Sequence, residues 1–126
     1  DYASCASINR FLAGQFPERT APREALVYAL WLDRAMSGEP SAGATRKEIR
    51  TNIASLRSGG QPAPAWIDLA LTQVEIDAGD VDAARTAMTR FESRWDGQPP
   101  SLRDYAVELA RWIESHDTSA ALPPGK

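Results

Sequence analysis

Glycine and proline cut this chain into stretches of 10 to 20 residues, each long enough for a helix and each with apolar residues at helical spacing. The breaks fall at Pro17 and Pro22, at Gly38 and Pro40, at Gly59-Gly60 with Pro62 and Pro64, at Gly79, and at Gly97 with Pro99-Pro100. Nowhere do β-branched residues alternate with polar ones over the length of a strand, so a sheet lacks raw material. Alanine supplies 21 of the 126 residues, and the basic side chains are twelve Arg against two Lys. Both Ala and Arg favour helix. The pattern predicts an all-α domain of about six antiparallel helices, stacked as helical hairpins.

Taken in order, the first segment runs from Ala3 to Leu12, with Ile8, Phe11 and Leu12 on one side. Pro22 suits the first turn of a second helix that stops at Gly38. Within it, Ala25 to Leu32 is apolar all round, which makes this helix the expected centre of the bundle. Thr45 and Glu48 have capping-box spacing at the start of a third helix, and Ile49, Ile53 and Leu56 form its buried stripe. Ile67, Ala70, Leu71, Val74 and Ala78 do the same for a fourth. Asp80 is placed to cap a fifth, with Val81, Ala84, Met88, Phe91 and Trp95 along one face. Ser101 is the expected cap of a sixth, with Leu102, Tyr105, Ala106, Leu109, Trp112 and Ile113 inward. One helical domain over residues 1–116 and a flexible tail over 117–126 follow from this.

The run Leu69-Ala70-Leu71-Thr72-Gln73-Val74-Glu75-Ile76-Asp77-Ala78-Gly79-Asp80-Val81-Asp82-Ala83-Ala84-Arg85 resembles a tetratricopeptide-type hairpin. Gly79-Asp80 match the turn of that family, Ala84 its small position and Leu71 a large packing position. Pro100 lies near the point where such a repeat ends. The likeness covers about one repeat, residues 65–100. Thr72 and Glu75 replace the usual small and aromatic residues, and no 34-residue period recurs. It implies helix-hairpin stacking and a protein-binding role.

Charge and chemistry narrow the function. Residues 1–63 carry eight basic and six acidic side chains, and residues 64–126 carry six and eleven, for a net charge of −3. Overall acidity argues against a nucleic-acid-coating protein. One Cys and one His cannot build a zinc site or a disulfide framework, so no metal or other cofactor is expected. The longest apolar run falls far short of a membrane span. His116, near the end of the last helix, and the lone Cys5 stand in no nucleophile motif, so no catalytic residue is assigned. The carboxylates Asp68, Glu75, Asp82, Asp104 and Glu108 read as a solvated face, with Asp104, Glu108 and Arg111 spaced as a surface ion-pair ladder.

The expected function is therefore a non-enzymatic helical scaffold that binds another protein. Trp66 and Trp95, at element ends, are candidate anchors. Arg46, Lys47, Arg50 and Arg57 make the third helix basic and suit an acidic partner, the unequal charge of the two halves orienting it. A homo-oligomer is compatible with this reading. The alternative is an accessory lipoprotein of the bacterial envelope or secretion machinery, in the periplasm. Ala3-Ser4-Cys5 resembles the small-small-Cys end of a lipoprotein leader, and Asp1 in place of Met reads as a processed or trimmed chain. Without lipid, Cys5 is expected to pack inside the first helix.

Overall fold

The computed structural model describes residues 1–60 and 62–117. Among them stand six α-helices and no strand. They are α1 (Tyr2–Gln15), α2 (Ala21–Ser37), α3 (Gly43–Arg57), α4 (Trp66–Asp77), α5 (Val81–Glu92) and α6 (Pro100–His116), with a 3₁₀ turn at Trp95–Gly97. Residues 118–126, assigned above to the tail, lie outside the described residues. Asp117, assigned to it as well, is held by the Arg85 guanidinium.

The helices form two closely packed hairpins, α1 with α2 and α4 with α5, joined by α3 and covered by α6. The centre is α4, which packs against α2, α3, α5 and α6. This corrects the assignment of α2 to the middle: within its apolar run Tyr28 is 45% exposed. Apolarity on all sides did not decide the matter, because α4 is buried from Ile67 to Ile76, Leu71 apart, despite its Asp, Thr, Gln and Glu. Those polar groups are admitted to the interior because each finds a partner there.

The inward stripes of α3, α5 and α6 match the periodicity. Ile49, Ile53, Leu56, Ala84, Met88, Phe91, Ala106, Leu109 and Ile113 join one core with Val27, Trp31, Leu69 and Val74. The stripe of α1 does not match. Ala6 and Ala13 are the residues it buries, Ala6 packing with Leu26 and Ala29, whereas Ile8 and Phe11 are 60% and 65% exposed. Small residues let α1 lie close to α2, so the contact face is the one with the short side chains. Cys5 is exposed too, not packed.

Helix ends show where local signals hold. After Gly79 (φ 76°) the chain leaves α4 through a Schellman turn, with the Asp80 amide donating to the Glu75 carbonyl and the Gly79 amide to Ile76, both at 2.9 Å. The Asp80 carboxylate then accepts from the Ala83 amide at 3.1 Å and starts α5 as expected. The capping box at Thr45 does not form. Helix α3 begins at Gly43 after Ala42, which puts Thr45 inside the first turn, and Glu48 is engaged by Arg10 of α1 at 2.8 Å. Nor does Ser101 cap α6, which starts one residue earlier on Pro100, where the missing N–H costs nothing.

Candidate functional site

Two features bring polar or aromatic side chains from different helices together: a chain of polar contacts through the interior, and an aromatic recess at one edge.

The polar chain starts at Trp31 of α2, whose indole N–H donates to the Tyr105 hydroxyl of α6 at 3.3 Å. Tyr105 donates to Gln73 Oε1 at 2.6 Å, and Gln73 Nε2 to Asp77 Oδ1 at 3.0 Å. Arg34 grips Asp77 in a two-pronged pair at 2.7 and 2.8 Å, and the Ser41 amide and hydroxyl add two donors at 3.0 and 2.8 Å. Burial raises the Asp77 carboxyl, but the bonds from Arg34 and Ser41 outweigh it and hold the group below the ordinary carboxylate range. The Tyr105 hydroxyl is pushed up, chiefly by burial. The arrangement ties α2, the loop before α3, α4 and α6 together. With both partners fixed and satisfied it is a brace.

Two further Arg–carboxylate pairs flank it. Arg50 donates to both oxygens of Glu75 at 3.1 and 2.6 Å, and Arg57 to Asp68. The solvated-face reading of Asp68 and Glu75 is thereby corrected, since both are buried on α4, while Asp82, Asp104 and Glu108 are exposed. Among the described residues no ion pair joins Asp104, Glu108 and Arg111, so the expected ladder does not form. Of the basic group on α3, Arg50 and Arg57 thus reach α4, Arg46 donates to the Ser41 carbonyl, and Lys47 is exposed.

The aromatic recess lies between the first half of α2 and the start of α4. Ala21, Glu24, Ala25 and Tyr28 line one side, spaced three and four apart along α2, and Trp66 the other side of a shallow, open depression of about 450 Å³. Trp66, half-buried at the first position of α4, lies flat on Trp31 (centroids 5.9 Å apart, planes 5° apart). Tyr28 meets Trp66 edge-on at 5.1 Å, and Trp31 is braced in turn by Tyr105 at 5.4 Å. The chain matches no protein-family model, no curated protein and no solved structure.

Trp95, the other candidate anchor, sits in the 3₁₀ turn with its ring edge-on to Phe91 at 5.9 Å. Nearby, Arg94 donates to the Ala63 carbonyl at 2.7 Å, fixing the turn to the segment before α4. His116 stacks on Trp112 at 3.9 Å, with Nδ1 2.8 Å from the Trp112 carbonyl. Among the described residues no cluster of three His, Cys, Asp or Glu is placed to hold a metal ion, and no helix is long and apolar enough to cross a membrane.

Tyr28, Glu24 and the Trp31–Tyr105–Gln73–Asp77 chain escaped the sequence reading. Tyr28 lay hidden in an apolar run, though its hydroxyl was the polar handle that marks an edge position. The interior chain left no local signal, because its partners lie 32 to 74 residues apart, save the one i,i+4 step from Gln73 to Asp77.

Proposed function

We propose that this chain is a non-catalytic helical interaction module that receives another protein at the recess formed by Tyr28 and Trp66, with α4 and α5 as a tetratricopeptide-like hairpin behind it. One observation carries the reading: two large aromatic rings stand partly exposed at the recess while held in place, Trp66 stacked on the buried Trp31 and Tyr28 edge-on to both. Rings held this way give up little freedom on binding, and Trp and Tyr in such settings dominate interface energetics. Trp95 and Lys47 lie elsewhere on the surface and serve as secondary contacts.

The test is affinity capture from the native source, followed by dissociation constants for the identified partner. Trp66→Ala and Tyr28→Ala are each expected to weaken the complex by a factor of ten or more, the loss of about 1.4 kcal/mol or above seen at hot spots. The exposed Tyr28 makes the second variant the cleaner one, since little packing is removed with it. Unchanged affinity in both variants rejects the assignment.

A second reading, an envelope or secretion lipoprotein anchored at Cys5, is favoured by the exposure of that thiol. Cleavage before Cys5 removes Asp1, whose carboxylate caps α1 by accepting from the Ser4 amide at 2.7 Å. Intact mass measurement of the protein from its native source decides between a lipid-bearing and a free Cys5.

A further inference from the structure

Six acidic side chains among the described residues are at least partly covered by the fold: Glu24, Glu48, Asp68, Glu75, Asp77 and Asp117. Five have a basic partner. Glu48 has Arg10, Asp68 has Arg57, Glu75 has Arg50, Asp77 has Arg34 and Asp117 has Arg85. Glu24 alone among these has no ion pair or side-chain hydrogen bond to another described residue. Its position in the first turn of α2 favours a negative charge, but that field supplies no partner atom. The remaining carboxylates that lack a partner are exposed, where water serves them.

Glu24 also lines the same recess as Tyr28 and Trp66. A partly covered glutamate without an ion pair, sharing a recess with two aromatic rings, suits an organic cation. The ring quadrupoles attract positive charge over their faces, and the carboxylate supplies the counter-ion. A guanidinium suits both parts best. It is planar and weakly hydrated, stacks on indole and pairs with carboxylate through two parallel N–H bonds. The fold itself uses that chemistry at the other five covered acidic side chains.

We infer that the Tyr28–Trp66–Glu24 recess receives an arginine side chain of the partner protein, completing at the interface the pairing that the chain makes internally at its other covered carboxylates. The inference rests on the protein-binding reading above and names the chemistry of the partner's anchor.

The test uses the whole chain and a blocked arginine, N-acetyl-arginine amide, with the neutral isostere N-acetyl-citrulline amide as control. The Trp66 indole N–H is followed by NMR in both titrations. Arginine is expected to shift that resonance saturably and citrulline to leave it in place. Glu24→Gln, which keeps shape and removes charge, is expected to weaken arginine binding about fivefold, and Tyr28→Leu by a similar factor. Circular dichroism establishes that each variant keeps its fold. Absence of a saturable shift, equal shifts from arginine and citrulline, or unchanged binding in Glu24→Gln overturns the inference. Those results leave the wider reading standing if Trp66→Ala still weakens the partner complex. If arginine binds but neither aromatic variant affects the partner, the recess chemistry holds and the interface assignment fails.

Discussion

At the scale of single residues, Asp77 is the position where sequence and structure differ most in consequence. It ends α4 next to a turn, where an acid passes for a surface residue. In the fold its side chain is only 1% exposed and accepts from Arg34, Ser41 and Gln73. Asp77→Ala leaves the Arg34 charge and three donor groups without their acceptor. It is expected to cost about 3 kcal/mol, read as a lowered midpoint in urea. The pH dependence has a definite sign. Because the folded carboxyl is held below its ordinary range, its contribution is fully present above the unfolded value of about 3.9 and disappears as pH falls through the folded value. Asp77→Asn is therefore expected to flatten the acid limb of a stability–pH curve while leaving the shape near neutrality. Legibility at this scale was uneven. Ile49, Phe91 and Leu109 were readable as core because burial of an apolar group needs only a face, while Asp68, Glu75 and Asp77 were not, because burial of a charge needs a named partner in another helix.

At the scale of elements, the α4–α5 hairpin was the most legible part of the chain. Its turn depends on Gly79 at positive φ and on Asp80 as a cap, both determined by neighbours within a few residues. Asp80→Ala is expected to cost about 1 kcal/mol and Asp80→Asn much less, since the amide oxygen still accepts from Ala83; thermal unfolding of the two variants distinguishes them. The failed assignments share a cause. Thr45 and Ser101 have the right residue types for caps, but α3 and α6 begin before them, at Gly43 and Pro100. Glu48, the other half of the first box, had a stronger offer from Arg10 across 38 residues. Helix α1 fails differently. Periodicity identifies an apolar face, but the choice between that face and the one with Ala6 and Ala13 is made by how closely α2 can approach. That choice leaves Ile8 and Phe11 in water.

At the scale of the whole molecule, the unequal charge of the two halves takes on a new meaning. The sequence reading assigned it to steering a partner. Three of the basic side chains before residue 63 pair instead with three acidic ones after it: Arg34 with Asp77, Arg50 with Glu75 and Arg57 with Asp68. Once these are set aside, five basic and six acidic side chains remain in the first half and six and eight in the second, so the surface has little polarity left. The complementarity was legible in the sequence, but its address was internal. A protein whose halves attract each other in this way behaves like two subunits that share one peptide chain. Cleaved in the link between Gly60 and Pro64, it is expected to stay together through the shared apolar core, and to re-form from separated pieces with a rate that falls steeply with ionic strength. Stopped-flow mixing of the two fragments, followed by tryptophan fluorescence, measures that rate. An association indifferent to salt means that the apolar core alone brings the halves together.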